Sequence, residues 1–297
     1  AGQGPPLVLL HGFGESTLAF APVMPELAKR FAVVAIDLNG FGFTERPKDR
    51  ASYTLAGQER LVLSVLDRLG LDRVRLAGHS YGGGLALYLA ARHPERIDRL
   101  LLIDNTLPLY ASLRRSPLFA WRWVARMAAH TFAISDRVIA AGLRKAYFDD
   151  SKVTPGLVRQ YADRLRIEGA TDAFHGLVGP TTEPPFRIDL AAIQTPALVV
   201  WGAEDRLIEA VAAEERSSEL PNSSFVVLPA CGHTPMEECP QAFLAADDAH
   251  GLRRLDPERD TLPMNPLDHN NDSIANHHLL ANFATENQHV KTSASLP

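Results

Sequence analysis

Short apolar runs recur along this chain, at Leu7 to Leu10, Ala32 to Ile36, Val74 to Ala77, Leu100 to Ile103, Ala197 to Trp201 and Phe225 to Leu228. Each is too short for a buried helix and is bounded by polar or glycine-containing sequence, so each reads as a buried strand. Between several of them the apolar positions take a helical spacing: Leu18 to Arg30, Leu55 to Leu69 with Thr54 as N-cap and Gly70 as stop, and Gly83 to Arg92. Strand alternating with helix predicts an α/β fold, a mostly parallel sheet flanked by helices and built from crossover connections.

The alternation stops between Thr106 and Arg187. That segment carries helical stretches with the aromatics Phe119, Trp121, Trp123, Phe132, Tyr147, Phe148 and Phe174. It predicts an inserted helical cap whose Pro-rich exit, Gly179 to Pro185, is a hinge back to the sheet. The cap arginines Arg114, Arg115, Arg122, Arg126, Arg137 and Arg144 are first a solvated helix face and second an attraction for an anionic substrate. The expected division is therefore 1–105 as the first part of the core, 106–187 as the cap, 188–254 as the second part of the core, and 255–297 as a polar tail. The tail holds six of the nine asparagines and no sustained period, which predicts a disordered or non-native end.

Composition narrows the function classes. With 297 residues, 46% of them hydrophobic, the chain can bury a substantial core, and its net charge of -5 offers nucleic acid or an anionic membrane no general attraction. Neither is an expected partner. No apolar run approaches the roughly 20 residues of a membrane span. No signal peptide is visible, although a chain that starts at Ala1 leaves a removed leader open. The two cysteines, Cys231 and Cys239, are too few for a disulfide scaffold and lack zinc-site spacing, which points to a reducing, cytoplasmic compartment. The tail histidines His269, His277, His278 and His289 also lack metal-ligand spacing. With no G-x-G-x-x-G, Walker lysine or H-E-x-x-H, neither cofactor nor metal is expected. Asn222-Ser223-Ser224 and Asn271-Asp272-Ser273 match the glycosylation sequon, which matters only in a secreted chain.

The chemistry centres on Gly78-His79-Ser80-Tyr81-Gly82, which follows a strand and opens a helix. A serine on such a sharp turn is exposed as a nucleophile, and the glycines on either side avoid collision in the turn. A serine hydroxyl needs a base and a group to orient that base. Candidates follow in order on loops after strands: Asp205 in Gly202-Ala203-Glu204-Asp205-Arg206 and His233 in Cys231-Gly232-His233-Thr234-Pro235. Asp205 would orient His233, and His233 would take the Ser80 proton. Asp104, at the end of Leu100 to Ile103, is the alternative acid, and Glu204 is a surface carboxylate beside the functional one. His11, His79, His93, His130 and His175 lack the combination of loop and order, so they read as structural or surface residues. Cys231 lies on the wrong side of the base for a nucleophile and reads as packing. Two backbone N–H groups would hold a tetrahedral oxyanion, that of Tyr81 after the nucleophile and that of Phe13 in His11-Gly12-Phe13-Gly14.

Together with Asp37-Leu38-Asn39-Gly40-Phe41-Gly42 and Trp201-Gly202-Ala203-Glu204-Asp205, these segments resemble the α/β-hydrolase family, in particular its capped esterases and carbon-carbon bond hydrolases. The resemblance runs from about Pro5 to Phe243. It implies that Asp37 to Gly42 is a structural loop without a catalytic role. Proline is usual in the family where Asn39 stands, a departure that implies a softer loop. The family's sheet also begins with two antiparallel strands, whereas only Ala1 to Pro6 precede the first strand here, which implies an exposed edge and a possible homodimer. The last helix, starting near Pro240, turns polar at Asp247-Asp248, which implies an altered end.

The expected function is a serine hydrolase that cleaves carboxylic esters of small apolar substrates through an acyl-enzyme. The aromatic cap suggests an apolar pocket. Hydrolysis of a carbon-carbon bond in a ring-fission product is the alternative enzyme, with cap arginines holding the substrate carboxylate. A non-catalytic small-molecule-binding homologue is the alternative from another class.

Overall fold

Six strands, β1 (Pro6–Leu10), β2 (Ala32–Ile36), β3 (Val74–His79), β4 (Ile97–Ile103), β5 (Ala197–Gly202) and β6 (Ser223–Leu228), form a sheet ordered β2-β1-β3-β4-β5-β6. Every pairing is parallel. The structure is a computed structural model that describes residues 1–106, 135–178 and 188–250. The helices among these residues are α1 (Met24–Leu27), α2 (Leu55–Arg68), α3 (Tyr81–Arg92), α4 (Asp136–Ala146), α5 (Pro155–Leu165), α6 (Ala170–Val178), α7 (Ala210–Ser217), α8 (Pro235–Glu238) and α9 (Pro240–His250). None is long and apolar enough to cross a membrane.

The strands read as unbroken apolar runs because both faces of the sheet are covered. Successive side chains alternate between faces. Val8 and Leu10 of β1 join Leu76, Leu85, Val62 and Leu66 on the side of α2 and α3. Leu7 and Leu9 join Phe20, Leu27, Phe31 and Phe243 on the other side. At roughly 25 cal/mol per Å² of apolar surface removed from water, these two layers are the main stabilising force of the fold.

Local signals explain the helix ends. Thr54 caps α2 by accepting the Gly57 N–H at 3.1 Å, and Gly70 after it stands at φ +64°. The continuous helix expected from Leu18 to Arg30 is not found. That stretch is a 3₁₀ turn over Thr17–Phe20 followed by the four-residue α1. Pro22 and Pro25 supply no backbone N–H, so a helix cannot run through them, and Pro25 is accommodated only in the first turn of α1.

Two departures noted in the sequence have compensating partners. Asn39 does not leave its loop soft: its backbone N–H donates to Gln58 Oε1 at 2.9 Å, Gln58 Nε2 returns a bond to the Asn39 carbonyl at 3.1 Å, and Asn39 Nδ2 donates to the Ser52 carbonyl at 3.0 Å. Gln58 is fully buried. The polar turn in the last helix is likewise answered, because Arg30 donates to Asp247 at 2.8 Å and also to Asp248. Helix α9 accordingly continues past them.

Helices α4, α5 and α6 fall between β4 and β5, within the segment expected as a cap. Arg137 and Arg144 are exposed. Arg114, Arg115, Phe119, Trp121, Arg122, Trp123, Arg126, His130 and Phe132, the hinge expected from Gly179 to Pro185 and the tail lie outside the described residues.

Candidate active site

Strand β3 runs straight into Ser80, whose backbone stands at φ 49°, ψ −113°, between the strand and α3. A non-glycine residue in this region costs on the order of 1–3 kcal/mol and persists only where its surroundings enforce it. Here the Ser80 N–H donates to Ile103 O at 2.9 Å, and its carbonyl accepts from Thr106 N at 2.9 Å and Gly84 N at 3.1 Å. The flanking glycines are required by space. A Cβ on Gly78 would lie 2.3 Å from the Gly82 carbonyl oxygen, and one on Gly82 would lie 2.3 Å from the Leu10 carbonyl oxygen.

The structure brings Ser80, His233 and Asp205 together. His233 Nε2 is 3.0 Å from Ser80 Oγ, and its Nδ1 is 2.7 Å from Asp205 Oδ2. All three are buried. Asp205 is fixed in turn, its Oδ1 accepting the N–H groups of Leu207 at 2.7 Å and Ile208 at 3.1 Å. Burial pushes its pKa up, but the hydrogen bond and charge of His233 and these N–H donors outweigh that and hold it below the usual carboxylate value. An ionised Asp205 only accepts, so His233 Nδ1 carries a proton and Nε2 faces the serine hydroxyl with its lone pair. This arrangement can move a proton from Ser80 to His233.

Asp104 is nearby but in a different state. It sits at φ 39° after β4, is fully buried, and accepts the Gly202 N–H on Oδ1 at 3.0 Å. Burial and the adjacent Asp205 charge raise its pKa well above the ordinary carboxylate value. One donor atom from each of Asp104, Asp205 and His233 lies within 4.8 Å of the others. Both ring nitrogens of His233 are already engaged by Asp205 and Ser80, which leaves no free imidazole lone pair to complete a metal cage with the two carboxyls.

Of the two candidate oxyanion donors, Tyr81 directly follows Ser80 and opens α3, so its backbone N–H stands at the helix N-terminus. The Phe13 N–H makes no hydrogen bond to the described residues. Its loop is pinned through His11, which accepts the Leu38 N–H on Nε2 at 3.0 Å and donates from Nδ1 to the Gly12 carbonyl at 2.8 Å. Burial lowers the pKa of His11, which suits a ring that must accept at Nε2. The Phe13 ring packs edge-on against Phe41 and Phe174 at centroid distances of 5.4 and 6.2 Å. Phe13, Phe41, Phe174, Leu165, Leu177 and Arg164 border a cavity of about 140 Å³ beside the candidate oxyanion loop.

Several participants were not singled out from sequence. His79, read there as structural or surface, is fully buried and bonds Glu15 Oε2 at 2.9 Å and the His233 carbonyl at 2.7 Å. Glu238 accepts the N–H groups of Gly232 at 2.7 Å, Phe148 at 3.1 Å and Asp149 at 2.7 Å. Glu237 Oε2 receives the hydroxyls of Tyr147 and Tyr161, each at 2.8 Å. The available signals were weak: a carboxylate three residues after Gly12 in a glycine loop, and an acidic pair in the first turn after Pro235. Glu204 is half-buried rather than a free surface carboxylate, and its Oε2 accepts the Cys231 N–H at 2.9 Å. Cys231, expected to pack, is buried and also forms a disulfide with Cys239, their Cα atoms 6.2 Å apart. The cysteine count points to a reducing compartment, whereas the two sulfurs are joined here. The short helix α8 turns the chain back and brings the two residues together. His93 bonds Glu59 at 2.6 Å away from this cluster.

Comparison with known proteins identifies the family of the fold. A family model described as alpha/beta hydrolase fold matches residues 5–240. A 2-hydroxymuconate semialdehyde hydrolase from Pseudomonas putida is 32% identical, the match covering 82% of this chain and 85% of that protein. The crystal structure of a hydrolase from Pseudomonas aeruginosa PA01 superimposes with a TM-score of 0.69 at 28% identity, covering 84% of this chain and 91% of the other. A malate-bound thermophilic esterase from Thermogutta terrifontis gives a TM-score of 0.69 at 25% identity, covering 84% and 90%.

Proposed function

This chain belongs to the alpha/beta hydrolase fold family, and from that footing we propose that it is a serine hydrolase cleaving carboxylic esters of small apolar substrates through an acyl-enzyme at Ser80. The observation that carries the reading is the continuous line of hydrogen bonds from Ser80 Oγ through His233 to an ionised Asp205. In this reading Ser80 Oγ attacks the ester carbonyl carbon while His233 Nε2 takes its proton, and the resulting imidazolium is stabilised by Asp205. The N–H groups of Tyr81 and Phe13 receive the oxyanion, each worth roughly 3 kcal/mol of barrier. Collapse expels the alcohol, which takes the proton from His233. A water then repeats the sequence on the acyl-enzyme and frees the acid and Ser80. The aromatic and aliphatic lining of the cavity next to Phe13 supports a small apolar substituent.

A second reading, hydrolysis of a carbon-carbon bond in a dienol keto acid, is favoured by the 32% identity to a 2-hydroxymuconate semialdehyde hydrolase and by Arg164 at the edge of the cavity, a cation for a substrate carboxylate. Two measurements separate the possibilities. A fluorophosphonate probe should modify folded wild-type protein and not Ser80→Ala; folded wild type that stays unlabelled would leave only a non-catalytic binding role. A panel of aryl esters beside a dienol keto acid then decides the bond. Strong turnover of the keto acid with negligible ester cleavage rejects the ester reading in favour of the second.

A further inference from the structure

Behind Ser80 the structure holds a buried acid–base pair that the proposed chemistry does not use. The geometry points to Glu15 and His79 as a positioning pair that holds the candidate oxyanion loop and the loop of His233 in register across the end of β3, an inference that rests on the hydrolase reading above. One oxygen, Glu15 Oε2, receives both the Gly12 N–H at 2.7 Å and His79 Nδ1 at 2.9 Å, and His79 Nε2 reaches the His233 carbonyl at 2.7 Å. These three contacts fall on the residue before Phe13, the residue before Ser80, and His233 itself. One carboxylate and one imidazole therefore link three separate chain segments at their functional ends.

The protonation state follows from the partners. A carbonyl oxygen only accepts, so His79 Nε2 must carry a proton. Nδ1 faces a carboxylate oxygen that also accepts from Gly12, which places a second proton on the ring. The pair is thus an imidazolium and a carboxylate, with charge-assisted hydrogen bonds at both ring nitrogens. Burial disfavours both charges, yet their mutual attraction outweighs it, raising the pKa of His79 and lowering that of Glu15. The other titratable groups facing the pair are His11 on the same loop, the His233 ring at a centroid distance of 5.0 Å, Glu237 of α8, and Tyr147 and Tyr161 beyond it. Glycine at position 12 is part of the device, because a Cβ there would lie 2.8 Å from His79 Nδ1 and 3.0 Å from Glu15 Oε2. Neither side chain is hydrogen-bonded to Ser80 Oγ, so the role is to position rather than to react.

Glu15→Gln tests this directly. A neutral amide no longer neutralises the imidazolium, so His79 loses its Nδ1 proton, the amide NH₂ turns to donate to Nδ1, and the Gly12 N–H loses its acceptor. Misplacement of donors by about 1 Å costs on the order of 100-fold in rate. The expected result is a fall in kcat of about 10- to 100-fold on an aryl ester with KM within about twofold, and a matching slowing of fluorophosphonate labelling. Wild-type labelling is the control. If the wild type is not labelled, the hydrolase reading fails; if the wild type is labelled and Glu15→Gln keeps wild-type kcat, the positioning pair alone is overturned. Should the variant not fold, ¹⁵N NMR of the wild-type histidines decides. A His79 ring protonated at both nitrogens at pH 7 supports the pair, and a neutral tautomer overturns it.

Discussion

Asp205→Asn perturbs a single hydrogen bond of the relay while leaving its loop intact. Asp205 Oδ1 is held by the Leu207 and Ile208 N–H groups at 2.7 and 3.1 Å, so an asparagine keeps its carbonyl oxygen on those donors and turns its NH₂ toward His233. The 2.7 Å contact that now has Nδ1 donating to Oδ2 would then have Nδ1 accepting. The ring proton moves to Nε2, which faces Ser80 Oγ at 3.0 Å and can no longer take its proton. Holding the imidazole in the wrong tautomer costs about 10⁴-fold in kcat, equivalent to about 5 kcal/mol of barrier. The assay is hydrolysis of an aryl acetate by the purified variant, with thermal unfolding as the control for the loop. A variant retaining more than about a tenth of wild-type kcat contradicts the tautomer argument. If that activity disappears when Asp104→Asn is added, the acid is Asp104, which lies within 4.8 Å of the same imidazole and whose pKa is raised by burial and by the Asp205 charge.

The buried carboxyl of Glu237 has its pKa pushed up to about 7 by burial and the nearby Glu15 charge, so the folded state holds its proton more tightly than the unfolded chain. It therefore removes stability as pH rises from about 5 to 8, and the Tm of Glu237→Gln relative to wild type should climb over that range; a flat difference in Tm rejects the assignment. Asn39→Pro, which restores the residue usual in the family, should destabilise this chain by about 1–3 kcal/mol because it deletes the N–H that satisfies buried Gln58 Oε1; an unchanged Tm would show that the loop repacks. Gly78→Ala places a Cβ 2.3 Å from the Gly82 carbonyl oxygen and should cost about 3 kcal/mol or more in chemical denaturation. A loss below about 1 kcal/mol would mean that the turn can open.

Much of the architecture was legible because parallel strands covered on both faces leave a local trace: all six expected apolar runs are strands, shifted only at their ends. From Leu18 to Arg30 the apolar spacing is helical, but Pro22 and Pro25 override it. Ser80, Asp205 and His233 could be proposed because each lies on a loop just after a strand, and that position is also local information. Glu15, His79, Glu237 and Glu238 could not. Their partners are 64 residues away for Glu15 with His79 and 154 for His79 with the His233 carbonyl, and a side chain whose role is set by a distant carbonyl leaves no spacing to read. Asn39 shows the same limit in reverse. Its departure from the family suggested a loosened loop, whereas Gln58, 19 positions away, satisfies the added amide.

The order of strands explains why these groups converge. Because all pairings are parallel, the carboxyl ends of β1, β3, β4, β5 and β6 lie along one edge in that order. They present in turn the Phe13 loop, Ser80, Asp104, Asp205 and the His233 loop. Adjacent strands are about 4.8 Å apart, so side chains on neighbouring loops meet within hydrogen-bonding reach. His233, on the loop that follows the edge strand β6, must reach back past β5 and β4 to Ser80. Its backbone is held for that reach from two directions: the His233 N–H donates to Ala146 O at 2.7 Å, and the His233 carbonyl accepts from His79. Glu238 adds bonds to Gly232 on one side and to Phe148 and Asp149 on the other. The segment that follows α4 is therefore fastened to the same loop that carries the base. A displacement of α4 strains the His233 backbone before it reaches the sheet, whereas the contacts of Asp205 with Leu207 and Ile208 are closed within its own loop. The long reach of the histidine, rather than the acid that orients it, is the part of this site most dependent on distant parts of the chain.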